Sequence, residues 1–391
     1  MKKVLILGAG IYQVPLIKKV KEMGYYVIVS SIPGDYPGFQ YADKVYYENT
    51  VDKEAILKVA QEEQIQAILT TGTDVAVSTI GYVCDQMNLS GVSHAAAIKV
   101  TNKALMKEVM VASGARTAFF EKIYSLEDAF KACDKLRYPV IFKCVDKSGS
   151  RGIYRVFGES DIETAFAYAM DSTDLDYIIV EEFIEGYEIG VDGYIGDDEY
   201  VIIPHDKIIY NNGVTNVPVG HVFPYECSDE LTEDIKKQII NAANALGLKN
   251  TFFNADVMIR DNKSYIIEIG ARCGATCIPE LLSIYLGIDY YEVMIKNALG
   301  EKISFPDKPV SASAGELLVS ETTGIIREVD MTQVTYENVD QLFMDYNVGD
   351  KVNAFRVGPD RIGQIVVRGK SVKEAMDNIA LAKKQLKIIV E

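Results

Sequence analysis

Short apolar runs alternate with amphipathic stretches over the first hundred residues: KVLIL, VPLIKKVKEM, YVIVS, DKEAILKVAQEE, QAILT and DVAVSTIGYVCDQM. Compact apolar runs bounded by turn signals read as buried strands, and the stretches between them carry apolar residues at helical spacing. This predicts an α/β unit over 1–96, a small doubly wound parallel sheet. From 97 to 308 the pattern changes to helix–strand units followed by long meandering strands such as EYVIIPHDKIIY, which predicts an α+β segment. Residues 309–391 read as a second α+β region. They hold SAGELLV, GQIVV and a helix in which Val372, Ala375, Ile379, Ala382 and Leu386 share one face, and Asp307-Lys308-Pro309 reads as the linker before them.

Two of the strands, NADVMI and SYIIEIGAR, are joined by the polar turn Asp261-Asn262-Lys263. Strict alternation places Val257 and Ile259 on one face with Ile267 and Ile269, so Asp256 and Glu268 converge on the other. Opposed side chains sit about 5 Å apart and like charges there repel. A hard divalent cation such as Mg²⁺ resolves the conflict and recruits phosphate oxygens as well, so the hairpin is a candidate metal site for a nucleotide. On these residues alone, a solvated polar face on an edge hairpin explains the pair equally well.

Composition narrows the partners. A chain of 391 residues is too long for one ordinary core, and its formal net charge of -16 argues against a general nucleic-acid or anionic-membrane binder. Phosphate-binding lysines must then be clustered. No apolar stretch approaches the roughly 20 residues of a membrane span. The N-terminal MKKVLILGAGI fits strand-turn-helix better than a signal peptide. Six cysteines without CxxC spacing favour reduced thiols and a cytoplasmic protein. The turn Gly8-Ala9-Gly10 begins like a dinucleotide fingerprint but has Gln13 where the third glycine belongs, so a tight turn facing a neighbouring domain is the preferred reading.

The central segment carries the chemistry. Pro139 to Lys143 reads as a buried strand ending in a lysine, and the loop after it holds Ser148, Gly149, Ser150, Arg151 and Gly152. Small residues let backbone N–H groups close on a phosphate, while Lys143 and Arg151 neutralise it. Downstream stands VEEFIEGYE, from Val180 to Glu188; upstream, Thr101-Asn102-Lys103 opens a helix, with Thr101 the expected N-cap.

In this order the motifs resemble the ATP-grasp superfamily, in its branch similar to carbamoyl-phosphate synthases and L-amino-acid ligases. The flanking regions resemble that branch's preceding and following domains. The resemblance implies a central ATP-grasp fold and ATP as the nucleotide, with Mg²⁺ or Mn²⁺ held by Asp256 and Glu268. Lys103 and Lys143 would bind the nucleotide, and the SGSRG loop would cover its phosphates. Glu181 would accept from the adenine amino group, backbone at Phe183 and Ile184 would meet the ring edge, and Glu188 would hold the ribose. Lys207 would reach the γ-phosphate, His221 would approach the acceptor pocket, and Arg272 would grip a carboxylate or acyl phosphate. Lys107 reads as a solvated neighbour of Lys103.

One position departs from the family's pattern. Gly270 stands where an Asn usually completes the metal ligands, which leaves three alternatives: a weak second Mg²⁺, a shell completed by water, or recruitment of Asn254 from the facing strand. The implied activity is an ADP-forming carboxylate–amine ligase working through an acyl phosphate on small carboxylate and amine substrates. A homodimer is the default assembly. Two alternatives stand beside it: a bicarbonate-using carboxylase or carbamoyl-phosphate-forming relative, and a non-catalytic ATP-binding regulator.

Overall fold

The computed structural model describes residues 1–147, 151–197, 199–211 and 216–391. Near the N-terminus, strands Lys3–Leu7, Tyr26–Ser30, Lys44–Tyr46 and Ala67–Leu69 form a parallel sheet in which the first strand lies between the second and fourth. Val4, Leu5, Ile6 and Leu7 are all fully buried, as required when both faces of a parallel sheet are covered. Gly8 takes φ +96, and the Gln13 side chain lies over Gly8 and Gly10 while its Nε2 donates to the Thr71 carbonyl at 2.6 Å. Gln13 therefore fills the volume that a dinucleotide pyrophosphate would need.

A small antiparallel sheet follows, made of strands Phe120–Ile123, Ile178–Glu182, Val140–Lys143 and Ile153–Val156. Helices Leu126–Leu136 and Ile162–Asp171 pack on it around Phe142, Ile178 and Val180. This core is separate from the others, as a body that closes over a cleft needs.

The largest sheet has eight strands in the order Lys263–Gly270, Thr251–Arg260, Tyr187–Ile195, Tyr200–Asn211, Asn216–Phe223, Ala312–Leu318, Gly363–Gly369 and Val339–Met344. The expected boundary at 308 thus falls within one continuous sheet, since Gly220 opposes Glu316 across it. Residues 307–309 form no strand; the chain rejoins the sheet at Ala312–Leu318, where Ala312 and Ala314 bury small side chains beside the helix Val372–Gln385.

Two local expectations change. The N-cap of helix Lys103–Ser113 is Asn102, whose Oδ1 accepts from the Leu105 N–H at 3.1 Å. Thr101 instead ends the preceding helix, its hydroxyl donating back to the Ala97 carbonyl at 2.8 Å. In the carboxylate hairpin, Arg260 opposes Lys263, so the turn is the two residues Asp261 and Asn262, at φ 52 and 56. Left-handed backbone at both central positions is what a tight hairpin requires, and Asn and Asp tolerate it best.

Candidate active site

A cleft of about 860 Å³ lies between the small antiparallel sheet and the eight-stranded sheet. Lys103, Lys143, Glu181, Phe183, Ile184, Glu188, Lys207, His221, Asp256, Glu268 and Arg272 all line it. Asp256 and Glu268 are directly opposed in the register, as expected, but a bulge after Asp256 pairs Val257 with Ile266. Simple alternation assigned Ile267 to the core. The bulge instead buries Ile266 and turns Ile267 towards the cleft beside Glu268.

Each acid is countered by a lysine. Lys207 Nζ sits 2.5 Å from Asp256 Oδ1 and 2.6 Å from Glu188 Oε1, and Lys103 Nζ sits 3.4 Å from Glu268 Oε2. Burial lowers the Lys207 pKa, but Asp256 and Glu188 outweigh it and the net shift is upward. The same contest, with Glu268 as the main opponent of burial, raises that of Lys103. For Asp256, burial pushes up and Lys207 pulls down; the balance lies below the usual carboxylate range.

The donor set suits a hard divalent cation: two facing carboxylates, their side chains 43% and 32% exposed, each held by an ammonium that can transfer to a phosphate. Among the described residues there is no group of three or more His, Cys, Asp or Glu that could hold a metal ion, so these two carboxylates would be the protein's contribution to such a site. Asn254 is engaged elsewhere. Its Oδ1 accepts from Arg272 Nη1 at 2.9 Å and its Nδ2 donates to Asp192 at 2.7 Å.

Glu181 differs from the expectation. It is 1% exposed, with Lys143 Nζ at 2.8 Å from Oε2 and Lys107 Nζ at 3.3 Å from Oε1, so its carboxylate holds two lysines rather than facing an adenine amino group. Lys107, read as solvated from sequence, is also 1% exposed and donates to Thr117 at 2.9 Å. Burial drives its pKa down to about 8 despite Glu181, with Lys143 adding to the drop. The helix pattern could not show this, because the partner lies 74 residues away on a strand of the small sheet.

At the hinge, the Phe183 N–H donates to the Pro139 carbonyl at 3.2 Å, so that donor is already engaged, and Arg155 stacks on the Phe183 ring at 3.5 Å from its centroid. Ile184 is buried and lines the cleft. Ser148, Gly149 and Ser150 lie outside the described residues. Arg151 is exposed at the end of that loop. Gly152 packs against the protein body: a Cβ there would meet Cys144 Sγ at 2.5 Å and Ser172 Cβ at 2.7 Å.

Arg272 Nη2 pairs with Asp74 at 2.7 Å, an acid from the N-terminal unit that sequence reading missed. Burial lowers the Arg272 pKa and Asp74 more than restores it. Position 270 explains the contact. A Cβ on Gly270 would stand 2.7 Å from Asp74 Oδ1, so the missing side chain is what admits Asp74. Tyr12, also unforeseen, reaches the cleft from the Gly8-Ala9-Gly10 turn, with Arg361 over its ring at 5.3 Å. Burial pushes its hydroxyl up to about 12. The departure from pattern at 270 was the signal for Asp74; nothing local marks Tyr12.

His221 is 5% exposed, its ring edge against His205 at 4.8 Å between centroids. Burial first, then His205 and Lys207, hold its pKa well below the ordinary value, so it is neutral. All six cysteines are free, and burial pushes the Cys273 and Cys277 thiols far up, which makes them poor nucleophiles.

Two family models match the chain: an ATP-grasp domain over residues 136–280 and an L-amino acid ligase C-terminal domain 2 over 316–391. The crystal structure of a phosphoribosylglycinamide synthetase from Anaerococcus prevotii is 30% identical and superposes with a TM-score of 0.86, covering 100% of both chains. The chain belongs to the ATP-grasp superfamily. Among curated ATP-grasp relatives, a formate-dependent phosphoribosylglycinamide formyltransferase from Methanocella arvoryzae is 24% identical over 348 residues, 82% of this chain and 79% of that protein. Alanine–anticapsin ligase from Bacillus subtilis is 24% identical over 306 residues, 69% of this chain and 63% of that protein. These matches make the chain an ATP-grasp ligase. No described helix is long and apolar enough to cross a membrane.

Proposed function

We propose that this chain is an ATP-dependent, ADP-forming carboxylate–amine ligase that activates a small carboxylic acid, such as an amino acid, as an acyl phosphate. The observation that carries the reading is the opposed pair Asp256 and Glu268 at the cleft wall, each neutralised by a lysine able to move to a phosphate. When bound there, Mg²⁺ or Mn²⁺ would neutralise charge between the nucleotide phosphates.

The chain's own groups do the rest. Ile184 and Phe183 give the purine an apolar slot, and Glu188 faces the ribose. Glu181 holds Lys143 in place for the α- and β-phosphates, while Lys103 and Lys207 leave their carboxylates as nucleotide enters. A substrate carboxylate oxygen forms a bond to the γ-phosphorus as the bridge to ADP breaks, and Arg151, Lys207 and Arg272 spread the developing charge. An amine nitrogen then bonds to the acyl carbon and inorganic phosphate leaves. The proton lost by the amine leaves on the inorganic phosphate, and His221, which burial keeps neutral, contributes an uncharged polar wall to the acceptor side of the cleft. Positioning and electrostatics dominate, with no covalent enzyme intermediate.

The test is ADP release with a panel of acids and amines, with hydroxylamine present to trap acyl phosphate as hydroxamate. Acid-dependent hydroxamate supports the reading. Nucleotide binding without turnover across the panel would replace it with a regulatory role, and a strict bicarbonate requirement would replace it with a carboxylase.

A further inference from the structure

Behind the cleft wall the large sheet buries an acid and an imidazole that the proposed chemistry does not touch. Asp192 and His205 are both completely buried, with His205 Nε2 at 2.9 Å from Asp192 Oδ2. The imidazole fits only because residue 190 is glycine: a Cβ there would lie 2.1 Å from His205 Cε1. The other carboxylate oxygen accepts the Gly274 N–H at 3.1 Å. A buried carboxylate is costly unless its oxygens are matched, and the remaining match is Asn254, whose Nδ2 donates to Oδ2 at 2.7 Å.

We propose that Asp192 is a positioning residue for Arg272, acting through the Asn254 amide and itself held by His205 and Gly274. The logic is the polarity of an amide. An ionised carboxylate only accepts, so Asn254 must turn its NH₂ to Asp192 and its oxygen to Arg272. That oxygen takes Nη1 at 2.9 Å, while Asp74 takes Nη2 at 2.7 Å. Both ends of the guanidinium are then fixed, and since the buried Nε has no hydrogen-bond partner of its own, these two contacts set the orientation of the group. The functional part rests on the ligase reading of Arg272; the orientation itself does not.

Asp192→Asn reverses the outer link. Its NH₂ faces the NH₂ of Asn254, the Asn254 amide turns over, and a donor is aimed at Arg272. The expected result is a fall in kcat of about 100-fold, the scale of a mispositioned catalytic group, with the KM for ATP changed by less than about twofold. In ¹⁵N-arginine-labelled protein the Arg272 Nε–H resonance should shift and exchange faster with solvent. Asp192→Asn combined with Asn254→Asp restores the polarity: residue 254 again accepts from Arg272 and now accepts from residue 192 as well. His205 can then accept at Nε2, since its Nδ1 lies 3.4 Å from the Asp206 carbonyl. The double variant should recover the resonance and most of kcat.

A merely structural role for Asp192 would not be cured by a second substitution. An unchanged Arg272 resonance in Asp192→Asn, or a double variant no better than the single, overturns the proposal. Should Asp192→Asn alone fail to fold, a double variant lacking the wild-type resonance overturns it too. Wild-type protein without turnover on any acid would sink the ligase reading, and the resonance comparison would still decide this one.

Discussion

Lys107 offers a quantitative test of the buried charge behind Glu181 at the cleft. Its side chain sits at 1% exposure against Glu181, and its pKa falls from 10.5 to about 8, burial being the main cause. At about 1.36 kcal/mol per pH unit this drop corresponds to about 3 kcal/mol. The sign follows from proton counting. Between pH 8 and 10.5 the unfolded chain keeps the lysine proton and the folded chain has released it, so stability rises with pH through that window. The methionine of Lys107→Met fills similar volume without a charge and leaves Glu181 paired with Lys143. The assay is urea unfolding of both proteins at several pH values across the window. Buried cysteines and tyrosines that titrate in the same range act on both proteins and cancel in the difference. The wild type should gain about 3 kcal/mol on the variant from the lower limit to the upper. A gap that stays constant to within about 1 kcal/mol would refute the reasoning, because it would mean that the lysine is solvated and its pairing with Glu181 incidental.

Three further outcomes are expected. Glu181→Gln strands Lys107 and Lys143 as buried cations and should cost about 3–5 kcal/mol in chemical denaturation. Glu268→Ala should abolish Mg²⁺-dependent ADP formation while circular dichroism and the melting profile stay near wild type; unchanged turnover would count heavily against the metal assignment. Gly270→Asn restores the residue usual for the family, yet it should lower ADP formation by about tenfold or more, because the new Cβ displaces Asp74 and loosens Arg272. An increase in activity would show that Asp74 is not a partner of the site.

The fold class and the order of the site residues were legible because they rest on local signals: apolar periodicity, a lysine at a strand end and paired acids on adjacent strands. What was not legible depends on contacts between distant segments. The bulge beside Glu268 left the acid pair in place but exchanged Ile266 for Ile267 in the core, a phase change that strict alternation cannot express. Lys107 looked like a surface charge because it stands on a helix beside polar neighbours; only its tertiary pairing with Glu181 buries it. The boundary at 308 was drawn from a local change of pattern, whereas strand pairing joins Asn216–Phe223 to Ala312–Leu318 across it. Thr101 lost the cap to Asn102 because the helix begins one residue later than its strongest hydroxyl suggested.

The bare Cα at 270 ties two distant parts of the chain to each other. An acid at 74 and a side chain at 270 compete for the same few cubic ångströms, so a side chain at 270 obliges the Asp74 carboxylate to move away from its place beside Arg272. Replacing the first hundred residues by a segment without an acid at 74 would remove one of the two partners that hold Arg272. Such a hybrid should keep the Asn254 contact and lose the one from Asp74, so the N-terminal segment contributes directly to how the guanidinium is held.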